Sequence, residues 1–225
     1  MSRIVFDIET LGFPLESFDA GQQEYLMKFA KTDDERTEAI QKLNLSPLTA
    51  QIIAIGMLNP DTGQGKVLYQ DTDTTPWISG DGSVQFVPGT EKQMLEQFWT
   101  TLQHYKQVIT FNGRSFDAPF VMLRSALHGV KSGRNLVPNR YYVYEHCDLL
   151  DQLTFYGAVR KFNLDFYCKG FGIKSPKSDG LTGLDLGPLF HDGKYRDIAQ
   201  YCIGDVKATA ELFQRWQGLL AFEAK

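Results

Sequence analysis

The chain opens with a short apolar run, Ile4 to Ile8, which predicts a buried strand. Glu16 to Leu43 is polar, charged and helix-prone, with a thin apolar stripe at Tyr25, Leu26, Phe29, Ala30 and Ile40. It reads as the helical part of an insertion, residues 11–50, placed after the first strand. An isoleucine-dense second strand is expected at Gln51 to Leu58. Turn chemistry in Asn59 to Gly65 folds Lys66 to Tyr69 back on it as a hairpin. Asp71 to Pro88, rich in Asp, Thr and Gly, reads as a loop. Thr90 to Tyr105 predicts a helix: Thr90 with Gln93 makes a capping box, and Met94, Leu95, Phe98 and Leu102 share a face. Val108 to Phe111 predicts a fourth strand and Asp117 to His128 a helix, with Pro119 in its first turn. Gly129 to Arg140 is a basic loop, and Tyr141 to Leu150 a fifth strand with a turn. Asn163 to Phe171 reads as a short helix, Gly172 to Gly187 as a long loop, and Lys194 to Leu220 as one long amphipathic helix. The succession predicts an α/β fold with a mixed five-stranded sheet flanked by helices, in a single domain over residues 1–225.

Composition narrows this little. With 225 residues, 43% hydrophobic and 13% aromatic, the chain can bury a sizeable core, which sets disorder aside. A formal charge of −4 argues against coating duplex DNA by charge alone. It is compatible with a narrow site that holds a few nucleotides around bound cations, which invert the local field. Cys147, Cys168 and Cys202 form no CxxC pair, so they are expected to be ordinary buried thiols in a reducing compartment. His104, His128, His146 and His191 lack zinc-ligand spacing. The N-terminus lacks the long hydrophobic stretch of a signal peptide, and no run approaches ~20 apolar residues. A cytoplasmic protein with no membrane partner is expected.

Three motifs carry chemistry. In Phe6-Asp7-Ile8-Glu9-Thr10, strand alternation puts Asp7 and Glu9 on one face and Phe6 and Ile8 on the other. Two semi-buried carboxylates side by side repel at a cost of several kcal/mol unless a cation compensates, and hard divalent cations take such ligands. Phe111-Asn112-Gly113-Arg114-Ser115-Phe116-Asp117 spans a strand end and a helix start, where Asp117 suits either an N-cap or a ligand. Tyr201-Cys202-Ile203-Gly204-Asp205 lies within the last helix, where i and i+4 bring Tyr201 and Asp205 to one point.

Together these motifs resemble the DEDD superfamily of 3′–5′ exonucleases, which includes the proofreading domains of DNA polymerases and the RNase D group. In particular the chain resembles predicted exonucleases related to the proofreading domain of family-B polymerases. Tyrosine four residues before the last aspartate matches the tyrosine branch; Gln200 stands where the other branch has histidine. The resemblance implies a ribonuclease H-like fold and a site holding two Mg²⁺ or Mn²⁺ ions. Asp7 would bridge both, Glu9 and Asp205 would complete the first position, Asp117 would hold the second, and Tyr201 would orient the attacking water. Thr10, Leu11, Asn112 and Phe116 would meet the substrate, although Phe116 suits a packed core equally well. The implied partner is the 3′ end of a single-stranded nucleic acid, DNA favoured over RNA, shortened to nucleoside 5′-monophosphates. Lys131, Arg134, Arg140, Lys174 and Lys177 are either phosphate contacts or solvated charges, and Asp148 and Asp165 are assigned structural roles. Two alternatives stand: an aspartate-dependent phosphatase, because FDIET superficially resembles an Asp-x-Asp-x-Thr nucleophile motif, and a non-catalytic nucleic-acid-binding module with the same fold.

Overall fold

The computed structural model describes residues 1–174, 180 and 182–221. The alternation of the first strand, β1 (Arg3–Gly12), organises two cores. Ile4, Phe6 and Ile8 enter one, with Met94, Phe98 and Leu102 of α3 (Glu91–Leu102) and Phe120 and Val121 of α4 (Asp117–Leu127). Val5 enters the other, beneath the last helix, α8 (Tyr195–Leu219). Asp7 and Glu9 continue the Val5 face, so the strand that fills both cores also carries its carboxylates towards α8.

The remaining strands are β2 (Ala50–Leu58), β3 (Gly65–Gln70), β4 (Trp77–Ile78), β5 (Val84–Gly89), β6 (Gln107–Thr110) and β7 (His146–Asp148). They form one sheet in the order β4-β5-β3-β2-β1-β6-β7. β1 is antiparallel to β2 and parallel to β6, as expected of a mixed α/β sheet. The sheet has seven strands instead of the five expected. The difference lies in Asp71 to Pro88, expected to be a loop. There Val84 and Phe86 turn inward with period two, and β5 runs parallel to β3 from Gly65↔Val84 to Gln70↔Gly89. Trp77 of β4 stacks on Phe86 at 3.7 Å and donates its indole N–H to the Tyr69 hydroxyl, 3.1 Å away. The strands are too short and too rich in turn residues around them to announce themselves by composition.

Two further differences bear on the site. β1 runs on to Gly12, four residues past the predicted end. The expected loop Gly172 to Gly187 ends in a 3-10 turn at Gly183–Asp185 and a helix, α7 (Leu186–His191). Lys177 lies outside the described residues. The insertion folds as α1 (Ala20–Met27) and α2 (Asp33–Lys42), each with a capping box, and neither helix buries a residue. Most of its thin stripe stays in solvent: Tyr25 and Phe29 are about four-fifths exposed, while Leu26 and Ala30 are half-buried. What fixes the insertion is its base. Leu43 is buried, Thr10 Oγ1 donates to the Asn44 carbonyl at 2.9 Å, and the Gly12 N–H donates to the Asn44 side chain.

A buried ion network anchors the other face. Glu91, at the start of α3, accepts Arg124 Nε at 2.8 Å and Nη2 at 2.6 Å, and also accepts the Ile52 N–H at 2.8 Å. Arg124 Nη1 donates to the Pro47 carbonyl at 3.1 Å, so α3, α4, β2 and the insertion's exit are joined through one guanidinium. Such a bidentate pair is geometrically specific: two guanidinium nitrogens meet Glu91 and the third meets Pro47. No helix among the described residues is long and apolar enough to cross a membrane.

Candidate functional site

The chain puts its acidic residues together by three separate devices. The first is the length of β1. Its pairing with β6 ends at Val5↔Ile109, so β1 projects beyond its neighbour and its next N–H groups on that edge have no strand to meet. The second is the turn after β6. Asn112 adopts φ +63°, and the chain reverses into α4 with Phe116 at the N-cap position and no side-chain cap. Asp117, the first residue of the helix, reaches back so that Oδ1 accepts the Ile8 N–H at 3.0 Å, while its carboxylate also meets its own backbone N–H. That answers the choice left open by the sequence: the Asp117 carboxylate points at β1. The third device is α8, whose Tyr201, Cys202 and Asp205 face β1. Close approach is possible because β2 carries glycine at position 56, where a Cβ would lie 2.7 Å from Val206 Cγ2 and 3.0 Å from Cys202 Sγ.

A bulge sits at the same place. β1 and β2 slip register between Glu9↔Ala54 and Thr10↔Ile52, leaving Ile53 as the extra residue. Bulges re-aim side chains and recur next to active sites; here the slip follows Glu9 directly.

The consequence is electrostatic. Asp7 is pushed well above the usual carboxylate range, first by burial and then by the charges of Asp117, Glu9 and Asp205. Glu9 is pushed up the same way, by burial and then by Asp205 and Asp117. Asp117 is raised to about 7, burial outweighing the help of the Ile8 N–H. The Tyr201 hydroxyl is pushed up by burial and by the charges of Asp205, Glu9 and Asp7, and a hydrogen bond with Asp205 also retains its proton. At neutral pH it is a donor. Among the described residues, Glu9 Oε1 is a fully buried side-chain oxygen with no hydrogen-bond partner. One donor atom each of Asp7, Glu9 and Cys202 lie within 4.8 Å of one another. Buried oxygens with raised affinity for protons, mutually repelling, one of them unsatisfied, fit a hard divalent cation.

The predicted site residues divide into two groups. Asp7, Glu9, Asp117, Tyr201 and Asp205 are brought together, as the mutual effects above require. The four residues expected to meet substrate are partly engaged elsewhere. Thr10 spends its hydroxyl on Asn44, Leu11 packs beside α7, and the Phe116 ring lies 5.4 Å from Phe120 against the α3–α4 core. Asn112 donates its N–H to Asp148 Oδ1 at 2.9 Å. Of the basic residues, Arg134 donates to the carbonyls of Tyr105 and Lys106, and Arg140 pairs with Asp151 at 2.5 Å. Lys131 is exposed.

Asp148 has the structural role expected of it, and that role bears on the site. At the end of β7 it accepts the N–H groups of Asn112, Arg114 and Leu150 at 2.9–3.0 Å. It thereby holds the loop that delivers Asp117. The only sequence signal was a carboxylate at a strand end opposite an Asn-Gly turn. Cys202 was read as an ordinary buried thiol; it is buried, and its Sγ donates to the Asp7 carbonyl at 3.8 Å.

Residues 50–221 match the model of a family described as a predicted 3′–5′ exonuclease related to the exonuclease domain of PolB. No curated protein matches the chain. Among solved structures, a family B DNA polymerase from the hyperthermophilic archaeon Pyrobaculum calidifontis superposes with a TM-score of 0.60 at 17% identity. The match covers 96% of this chain and 24% of the polymerase, so the chain spans about a quarter of that protein. At that identity the likeness concerns the fold: a mixed sheet flanked by helices, of the ribonuclease H-like kind expected.

Proposed function

The chain belongs to the family of predicted 3′–5′ exonucleases related to the exonuclease domain of PolB, and from that membership we propose that it removes nucleotides from the 3′ end of single-stranded nucleic acid, DNA in preference to RNA, releasing nucleoside 5′-monophosphates. One observation carries the reading: Asp7, Glu9, Asp117 and Asp205 crowd into a buried cluster in which a Glu9 oxygen has no hydrogen-bond partner among the described residues. Such an arrangement costs the protein stability unless cations occupy it.

Asp7, Glu9 and Asp205 would hold one divalent ion, and Asp7 with Asp117 a second. Bound there, Mg²⁺ or Mn²⁺ supplies an activated water, charge relief at phosphorus and stabilisation of the leaving oxygen. The protein's own residues do the positioning. Tyr201, which keeps its proton at neutral pH, offers its hydroxyl as a hydrogen-bond donor at the edge of the cluster and orients the attacking water. The Ile8 N–H fixes the Asp117 carboxylate, and Asp148 fixes the loop before it, so neither needs to reorganise during reaction. Burial excludes bulk water and strengthens each of these interactions.

A digestion panel tests the proposal. Strands of DNA and RNA labelled at the 5′ end should shorten in single-nucleotide steps with Mg²⁺ or Mn²⁺ and remain intact in EDTA, with DNA shortened faster. A 3′-terminal phosphate should slow the reaction. Early internal fragments, or release of inorganic phosphate from a small phosphomonoester without strand shortening, would overturn it.

A further inference from the structure

A second feature lies along α6 (Leu164–Gly170), outside the carboxylate cluster. A groove of about 430 Å³ is lined by Leu153, Val159, Arg160, Phe162, Phe166 and Tyr167 among others. Within it Phe162 and Phe166 stack in parallel, centroids 4.2 Å apart and planes 8° from each other. The Arg160 guanidinium lies 5.0 Å over the Phe162 ring. Phe166 is 57% exposed and Val159 50%, so the groove presents aromatic and aliphatic surface to solvent. Arg160 and Lys161 at its mouth are both exposed.

The groove shares no lining residue with the candidate site but is linked to it through α6 and the ring of Tyr167. Tyr167 meets Phe162 edge-on at 6.2 Å and Phe111 at 5.8 Å, and Phe111 directly precedes Asn112. Cys168, on the inner side of the same helix, feels the charge of Asp205. The helix therefore faces the carboxylates with one side and carries the ring pair on the other.

We propose that this groove is a base-stacking subsite for the single strand upstream of the terminal nucleotide: an unstacked base lies against the Phe162–Phe166 pair and Arg160 meets its phosphate. The proposal rests on the exonuclease reading and extends it. Open ring faces interleaved with cations are the features that bind single strands without sequence preference, because every base has a π-face and every linkage a charge. An apolar peptide would use the rings but leave Arg160 and Lys161 without a counter-charge, which favours a polyanion.

The test uses the full chain and its variants Phe166→Ala and Arg160→Ala, with Ile78→Ala, on the far edge strand, as control. Binding of a 5′-fluorescent thymidine oligomer of about 12 nucleotides with phosphorothioate linkages is read by anisotropy. Hydrolysis of an ordinary oligomer is compared with that of a thymidine dinucleotide, too short to reach the groove. Phe166→Ala should weaken oligomer binding by about 5- to 150-fold, the equivalent of ~1–3 kcal/mol for one stacked base. The oligomer-to-dinucleotide ratio of kcat/KM should fall by a similar factor. Arg160→Ala should weaken binding and reduce the salt slope by about 0.7, the value for one single-strand phosphate. Oligomer binding unchanged in both variants overturns the proposal while leaving the exonuclease reading in place. An equal fall for oligomer and dinucleotide also overturns it, since the groove would then act through the carboxylate site. So does a change of oligomeric state by sedimentation with strand binding intact, which would make the groove a contact between copies. If the variants weaken binding but wild type degrades no strand, the subsite stands and the exonuclease reading falls.

Discussion

Asp117→Asn isolates what the buried charge costs the metal-free protein. The substitution keeps the shape and keeps an oxygen for the Ile8 N–H, but removes the charge. In the fold Asp117 is raised to about 7; in an unfolded chain an aspartate titrates near ~3.9. The folded state therefore binds the proton more tightly, and the stability of the wild type falls as pH rises between those two values. Linkage gives a penalty of about 1–2 kcal/mol at pH 5 and about 4 kcal/mol at pH 9. Against this, the asparagine buries an NH₂ group facing other carboxylates, an offset of up to ~1–3 kcal/mol if it finds no acceptor. That offset does not depend strongly on pH, so the decisive quantity is the change between the two pH values. In EDTA the variant should gain about 3 kcal/mol on wild type from pH 5 to pH 9. For a chain of this size that is a relative rise in Tm of roughly 6–12 °C. Thermal melts at both pH values measure it. Adding Mn²⁺ at pH 8 should raise the wild-type Tm more than the variant's, because on the proposed reading Asp117 is one of the ligands. A wild-type-minus-variant difference that is the same at pH 5 and pH 9, or that moves the other way, would refute the account of a repulsive buried cluster.

Three further perturbations separate chemistry, positioning and framework. Tyr201→Phe keeps the packed ring and should lower the single-turnover rate by roughly 10- to 1000-fold at saturating metal, with Mn²⁺ affinity nearly unchanged; a wild-type rate would remove Tyr201 from the mechanism. Asp148→Asn turns an NH₂ towards one of the backbone N–H groups the carboxylate now accepts, and should cost about 1–3 kcal/mol in urea unfolding. Its kcat should fall further than the folded fraction does, and full activity per folded molecule would show the loop needs no such anchor. Glu91→Ala leaves the buried Arg124 guanidinium and the Ile52 N–H without their acceptor, and should cost about 3–5 kcal/mol by urea titration; a loss below ~1 kcal/mol would mean water replaces the carboxylate.

Much of the fold was legible because it rests on strong local patterns. The stripe Met94, Leu95, Phe98 and Leu102 is buried as its spacing predicted, and the Thr90–Gln93 capping box is present. Alternation placed Phe6 and Ile8 in one core and turned Asp7 and Glu9 away from it. What was not legible depends on contacts distant in sequence. β4 and β5 exist because Trp77 finds Phe86 and β5 finds β3, and nothing local distinguishes them from the loop they interrupt. The anchoring of Asp117 by Ile8 and of the Asn112–Arg114 turn by Asp148 joins residues 109 and 34–36 positions apart. A motif shows that a carboxylate is present; it does not show which N–H will aim it.

The site and the fold are therefore one energetic problem. A cluster of buried carboxylates opposes folding, and the protein holds it by placing each acid on an element fixed for other reasons. β1 is fixed by two cores, α4 by the Glu91–Arg124 pair at its other end, and α8 by close packing across Gly56. None of these supports belongs to the cluster, so its repulsion is not relieved by letting one acid swing into solvent. It persists until charge of the opposite sign arrives. On the proposed reading the stored repulsion would be the source of cation affinity: each kcal/mol by which the carboxylates disfavour the empty fold would be available to favour the occupied one, a factor of about 5 in binding. The same reasoning explains why Gly56 matters to a site it does not touch. A methyl group there must push α8 away from β2, and with it Tyr201 and Asp205 away from Asp7 and Glu9.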